Sequence, residues 1–347
     1  VVCGCNGVQQ NEVWEYTPTS NTWLQKNNFP GIARWSAPCF EIANKGYLML
    51  GVSPNLESDV WEYEPLTDTW TQKNNFPGFV RQDAFGFAIN TKGYVTCGRA
   101  GGYLNDLWEY TPATDTWLQK ADFPAMVRNG ASGFVIGNYA YVGLRYNSGT
   151  NFSDFYRYNP ATIVWNSIAS YPGAARNSSA HFSLGGNGYV GLGYDGNSYF
   201  NDFYKYDPTS NTCAIINNFE NHETRTYPAF FTTANAPYIG TGSSSSLTYL
   251  NDFYKYSIPF SSITETTISQ IQISPNPANN FVAVTLGNSQ DINAINVFDV
   301  LGNKVKSNIQ NIKSKIEINT TSLSNGVYFV EVITDENTYS KKIIANH

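Results

Sequence analysis

Charge is scarce in this sequence: Asp, Glu, Lys and Arg make up only 14% of its 347 residues, against about 25% in ordinary globular chains. The formal net charge is -6, which repels a polyanion and argues against nucleic acid as a partner. No run approaches the roughly 20 apolar residues of a spanning helix, so the chain reads as not membrane-spanning. Long polar runs are missing as well, which argues against disorder. Cysteine is limited to Cys3, Cys5, Cys39, Cys97 and Cys213. The count is odd, and the spacing fits neither a disulfide framework nor a paired zinc site, so these read as small buried hydrophobes. Histidine is limited to His181, His222 and His347. No Gly-rich phosphate loop, nucleophile elbow or paired-carboxylate motif occurs. We therefore expect no metal, no cofactor and no catalytic residue, with enzymatic activity undecided but disfavoured.

Rings are what the chain has instead. Aromatic residues reach 15%, beside 28 Gly and 16 Pro. Tyr, Phe, Trp, Val, Ile and Thr suit strands, so the composition describes an all-β protein. Its length is about two domains at roughly 150 residues each. The opening residues Val-Val-Cys-Gly-Cys-Asn-Gly resemble a mid-strand and its turn, with no charged leader before them. They read as a chain that begins inside a domain, leaving a signal peptide untested.

A repeat sets the architecture. Glu12-Val-Trp-Glu-Tyr16, Asp59-Val-Trp-Glu-Tyr63 and Asp106-Leu-Trp-Glu-Tyr110 are followed by Asp154-Phe-Tyr-Arg-Tyr158, Asp202-Phe-Tyr-Lys-Tyr206 and Asp252-Phe-Tyr-Lys-Tyr256. Their central rings (Trp14, Trp61, Trp108, Tyr156, Tyr204, Tyr254) are 47, 47, 48, 48 and 50 residues apart. Each unit parses into four strands. The first begins after a repeated arginine: Arg34, Arg81, Arg128, Arg176 and Arg225. A second carries Gly-Tyr, the third is the Asp-x-ring-x-Tyr motif, and the fourth opens at a Trp and closes at Phe-Pro. Four antiparallel strands repeated radially make a propeller blade.

The motif and its period resemble kelch-repeat β-propellers, over residues 1–258. The resemblance implies a six-bladed ring. Read this way, the first blade lacks its first strand and the last lacks its fourth, so an N-terminally truncated ring with an exposed gap between them is expected. Residues 259–270 are rich in Ser and Thr and read as a linker. Beyond them Trp disappears, and apolar alternation in Phe281–Leu286, Ile295–Phe298 and Val327–Val332 predicts a small Ig-like β-sandwich over 271–347. Four pieces of that tail occur in order: Ser274-Pro275-Asn276-Pro277, Val297–Val305 with Gly302, Leu323–Val330 with Gly326 and Tyr328, and Lys341-Lys342-Ile343-Ile344. Together they resemble the type A C-terminal sorting domain of the type IX secretion system of Bacteroidetes. That resemblance implies a translocon as partner, passage through the periplasm, and an extracellular or outer-surface destination. Pro275, Asn276, Pro277, Gly302, Gly326, Tyr328, Lys341 and Lys342 would carry the sorting signal.

Propellers bind at the mouth of the central channel. By the kelch resemblance, the loop before the first strand and the loop between the second and third share one face. The five arginines lie in the former, where they serve either a ligand or a structural pairing with the repeated Asp59, Asp106, Asp154, Asp202 and Asp252. Residues that break the repeat are better candidates. Trp35 follows Arg34, and its counterparts are Gln82, Asn129, Asn177 and Thr226. The other loop adds Arg99, Tyr103, Arg145, Tyr146 and Tyr194. Rings beside amides and guanidinium groups suit a glycan or a protein ligand. We therefore expect a surface-delivered binding module. The alternatives are a sugar mutarotase or epimerase using Arg81 with Asp83 or Glu41, a two-His copper site, and a structural surface or biofilm protein with a plugged channel.

Overall fold

In a computed structural model, residues 1–256 are described except 217, 220, 221, 234, 235 and 247, and residues 271–347 except 287–291, 300–303, 306–308, 313, 314 and 335–337. The chain divides into two compact units, Val1–Ile258 and Pro259–His347. The expected linker, 259–270, lies outside the described residues.

The first unit contains six antiparallel sheets that follow the sequence repeat. The second blade is Cys39–Ile42, Lys45–Met49, Val60–Glu64 and Thr69–Lys73, hydrogen-bonded in that order. The third, fourth and fifth blades begin at Phe85, Ser132 and Ala180 and are built alike. Among the described residues the first blade has three strands (Val2–Cys5, Gln9–Thr17, Thr22–Lys26), as has the sixth (Ala229–Thr232, Pro237–Gly240, Phe253–Lys255). Alternation on each strand sends one ring into the seam with the next blade. The second-strand Tyr of one blade meets the third-strand Tyr of the next, Tyr47 with Tyr110, Tyr94 with Tyr158 and Tyr141 with Tyr206, at centroid separations of 5.8, 6.0 and 5.4 Å.

The expected gap between first and last blades is not there. Tyr238 of the sixth blade meets Tyr16 of the first at 5.4 Å, and Phe253 lies 5.3 Å from the same ring. The physical reason is that seam packing uses second- and third-strand rings, which both of these blades possess. First-strand side chains of different blades also meet one another. Phe85 lies against the backbone of Gly133, where a Cβ would come within 2.7 Å of its ring. It thereby reaches His181 at 5.4 Å, and His181 meets Phe230 at 4.5 Å.

In the second to sixth blades the repeated arginine is fully buried. Arg34 shows the pattern. Nη1 and Nη2 donate to the two carboxylate oxygens of Asp59 at 2.5 and 2.9 Å, Nη1 also donates to the Leu50 carbonyl, and Nε to the Ile32 carbonyl. The guanidinium carbon sits 4.9 Å from the centroid of Phe29. Arg81, Arg128, Arg176 and Arg225 repeat this with Asp106, Asp154, Asp202 and Asp252. The accepting carbonyls of Leu50, Cys97, Leu144, Leu192 and Thr241 belong to residues with φ between 54° and 60°. These left-handed conformations are unfavourable for non-glycine residues; here they aim a carbonyl at a buried cation.

A second left-handed position recurs in the turn between third and fourth strands. Asp68 accepts the Asn27 amide of the preceding blade at 3.1 and 3.0 Å, and Asp115 accepts that of Asn74 at the same distances. Asn211 accepts the Ala169 amide at 3.0 Å. In the fourth blade this place is held by Ile163 at φ 58°, a β-branched residue with no acceptor. Ala121 nevertheless lies opposite, its carbonyl taking the Trp165 indole N–H at 3.1 Å. Ile163→Asp is expected to stabilise the fold by about 1–2 kcal/mol, relieving left-handed strain and supplying an interblade acceptor. Urea unfolding measures it, and an unchanged midpoint would show that the Ala121 amide is out of reach.

The cysteines depart from expectation. All are free; Cys97 is buried, but Cys5 and Cys39 are exposed.

The second unit is a sandwich of a four-stranded sheet (Ile271–Ser274, Phe281–Leu286, Lys315–Asn319, Ile309–Ile312) and a three-stranded sheet (Ile292–Asp299, Gly326–Thr334, Thr338–Ala345). Val282, Val284 and Ile318 from one sheet and Val297, Val330, Val332 and Ile343 from the other form its core.

Candidate functional site

On the loop face of the first unit, the residue after each arginine pairs across to the loop between second and third strands. Gln82 and Arg99 exchange both backbone hydrogen bonds, at 3.1 and 2.9 Å. Trp35 does the same with Val52 at 3.1 and 3.0 Å, and Asn177 with Tyr194 at 2.8 and 3.0 Å. Asn129 donates to Tyr146 at 3.3 Å, and Thr226 pairs with Ser243. The outer partner then pairs once more, giving a row of three in each of the second to sixth blades. The rows are Trp35–Val52–Leu56, Gln82–Arg99–Tyr103, Asn129–Tyr146–Asn151, Asn177–Tyr194–Tyr199 and Thr226–Ser243–Tyr249. Directly opposed residues of an antiparallel pair point their side chains to one face, so each row is a radial strip of side chains.

Three of these strips are joined. The Tyr103 and Tyr146 rings lie edge to face at 6.3 Å, with the Arg99 guanidinium 6.0 Å from the Tyr103 centroid. Asn151 donates to the Asp195 carbonyl at 2.7 Å and accepts from Asn177 at 3.2 Å. Tyr194 and Tyr199 are 4.7 Å apart. Asp83 sits at the inner end, accepting from Ser36 Oγ at 2.7 Å and, at 3.4 Å, from the Gln82 and Asn129 amides. The Asn129 Oδ1 is buried and has no hydrogen-bond partner. A buried acceptor of this kind costs about 1–3 kcal/mol.

Placement of the predicted residues is therefore uneven. Trp35, Gln82, Arg99, Tyr103, Asn129, Tyr146, Asn177 and Tyr194 share the loop face. The side chain of Arg145 lies outside the described residues. Arg34, Arg81, Arg128, Arg176 and Arg225 do not reach that face: each is sealed in its blade by the carboxylate and carbonyls described above, and none is open to a ligand. Their withdrawal also removes Arg81 from the mutarotase reading, and Glu41 caps a hairpin through the Asn44 amide instead. The carboxyl of Asp195 is held below the usual carboxylate range by the amides of Ser198 and Asn197, a turn's arrangement. His181 lies against Phe85 and Phe230, whereas His222 stacks on Tyr254 at 3.7 Å, and the two are not brought together. Burial and the Arg225 charge push His222 down from the usual histidine value. Missing from the sequence reading were Asn151 and Tyr199, the third members of their rows. Their signal was the short loop returning each chain onto itself.

In the second unit the residues expected to carry the sorting signal tie its first strand to its last. Asn276 Nδ2 donates to the Lys342 carbonyl at 3.0 Å, while its Oδ1 accepts the Ile344 amide at 2.8 Å. Pro275 and Pro277 flank it, each after a cis peptide bond. Tyr328 is buried and donates to the Ser324 carbonyl at 2.9 Å, and Gly326 begins its strand opposite Ala345. Lys342 is exposed and Lys341 half-buried; Gly302 lies outside the described residues.

Residues 272–346 match the family model of the secretion system C-terminal sorting domain. Among solved structures the chain is similar to that of YjhT, a kelch-type propeller, at 16% identity and a TM-score of 0.62, over 69% of this chain and 86% of that one. Identity at that level speaks for the fold alone. No curated protein matches the chain. The fold and the match define the class: an all-β, propeller-like domain followed by a type IX sorting domain. Such a tail marks export to the cell surface or the extracellular space, and no helix of the described residues is long and apolar enough to cross a membrane.

Proposed function

We propose that the chain is an exported, non-catalytic binding module that holds a glycan across the loop face of the third to fifth blades. The observation that supports it is the set of three joined strips. They present tyrosine rings, side-chain amides and one guanidinium where the blades diverge in sequence. Sugar C–H faces stack on rings, and sugar hydroxyls answer planar amides and a carboxylate such as Asp83. The test is a glycan array probed with the intact chain, followed by titration of the best hit. Tyr146→Ala is expected to weaken binding about tenfold with the melting temperature unchanged. Retention of full affinity, or an array with no hit, overturns the reading.

One observation favours a second reading, a protein ligand. The residue two before the arginine is a large exposed apolar side chain in three successive loops: Ile32 at 57%, Phe79 at 72% and Met126 at 61% exposure. A run of exposed apolar side chains in successive loops, two of the three without a ring, suits polypeptide better than sugar.

A further inference from the structure

The end of the propeller opposite the strips has its own concavity, a cleft of about 420 Å³ between the third and fourth blades. Three turns build it: the 89–92 hairpin, Asn138–Tyr139, and Asn159–Ala161.

Two independent breaks in the repeat converge there. In the second blade Lys45 is neutralised by Glu62 at 2.8 Å and Glu64 at 3.4 Å. Lys92 stands at the same place in the third blade, but Thr111 replaces Glu64. Its ammonium donates to Thr111 Oγ1 at 2.5 Å and makes no ion pair among the described residues. Glu109, the counterpart of Glu62, is held instead by Lys120 at 3.3 Å and by the Tyr94 hydroxyl at 2.8 Å. In the fourth blade Tyr139 takes the place of that lysine, and Arg157 that of the glutamate. The Arg157 guanidinium lies 4.9 Å from the Tyr139 centroid, and its buried Nε has no hydrogen-bond partner. A chain of net charge -6 thus keeps, beside one cleft, two cations without carboxylate partners among the described residues. No acid lines that cleft, and Asn90, Asn138 and Asn159 supply amides.

From this we infer that the cleft is a second binding site and takes a sugar bearing a sulfate or phosphate ester. The sign of the charge selects an anion. The donor set selects its shape: Lys92 is a point charge and the amides donate singly, whereas a carboxylate is best matched by a free guanidinium fork. Arg157 lies on the Tyr139 ring and adds field rather than a fork. Asn159 Oδ1 already caps the Ala161 amide at 3.0 Å, so its Nδ2 is the group left to donate. The volume lies in the range of small-molecule sites.

Calorimetric titration of the intact chain with galactose 6-sulfate, glucose 6-phosphate, galactose and inorganic sulfate tests this. At least one ester is expected to bind ten or more times tighter than galactose or sulfate, and which ester does so identifies the head group. Lys92→Met should reduce that affinity at least tenfold and Asn138→Ala several-fold, with melting temperature unchanged. Tyr146→Ala, which disables the loop face, should leave it intact, so the two sites fail separately. Esters bound no better than galactose, inorganic sulfate bound as tightly as the esters, or a Lys92→Met chain that binds like the original would each overturn the inference.

Discussion

Arg81→Ala is expected to cost the propeller about 3–5 kcal/mol, the usual loss when one partner of a buried pair is removed, and to lower its melting temperature by roughly 10 °C. The side chain is fully buried. Its loss strands Asp106, leaves the Cys97 and Phe79 carbonyls without their donor, and opens a void over Phe76, whose centroid lies 5.1 Å from the guanidinium. Lysine should recover little, because one ammonium cannot span two carboxylate oxygens and two carbonyls. The pair also sets an acid response. Burial alone would raise the Asp106 carboxyl, but hydrogen bonds and charge from Arg81, with the Trp108 indole at 2.7 Å, hold it below the usual range. Its unfolded value is about 3.9. The stabilisation is therefore complete above about pH 4 and is lost as pH falls through the lower folded value. Urea unfolding of both chains from pH 7 to 3 checks this: the gap should narrow at the acid end, and a gap independent of pH would reassign the loss to packing alone.

The second large effect is a gain. Four blades place a Trp at the start of the fourth strand against a Phe, as Trp70 meets Phe29 at 5.2 Å and Trp165 meets Phe123 at 5.2 Å. The fifth blade has Cys213 and Tyr171 instead. The Tyr171 hydroxyl is buried without a hydrogen-bond partner and lies beside a small apolar void that Cys213 also lines. Burial pushes the Cys213 thiol up to about 11, so it is inert packing. Tyr171→Phe should stabilise by about 1–3 kcal/mol through removal of an unpaired polar group. Cys213→Trp alone should gain little, because the hydroxyl stands where the indole would go. Together they should give about 3–5 kcal/mol, the extra coming from the buried ring. A double-mutant cycle by thermal unfolding measures the coupling; additive effects would mean the hydroxyl and indole do not compete.

The blades were legible because a 47–50 residue period repeats rings, prolines and glycines together, and each has a local meaning. Strand order within the blades followed from hairpin connections. Side-chain direction at the arginines was another matter. Repetition at the same period as an Asp favours a buried staple over a ligand ring, and the meeting with that Asp 25–27 residues on and with a left-handed carbonyl decides it. Trp35, Gln82, Asn129 and Asn177 were recognisable as one family of positions, since they replace one another where the repeat is loose. Their partners Asn151 and Tyr199 were not, because loop lengths differ from blade to blade and blur the alignment. The positive cleft was hidden for a further reason: Lys92 looks like Lys45 until the missing glutamate is noticed.

The meeting of Tyr16 with Tyr238 and Phe253 changes how the six sheets share their stability. In an open array, an end unit has one neighbour and melts at the cost of a single interface. Here the first blade is held by the second on one side and by the sixth on the other, so no unit is terminal. Peeling any blade away breaks two interfaces at once, and a substitution in one is resisted from both directions. Damage confined to the seam between Tyr16 and Tyr238 would convert a circle into a line, weakening the other four blades without touching them.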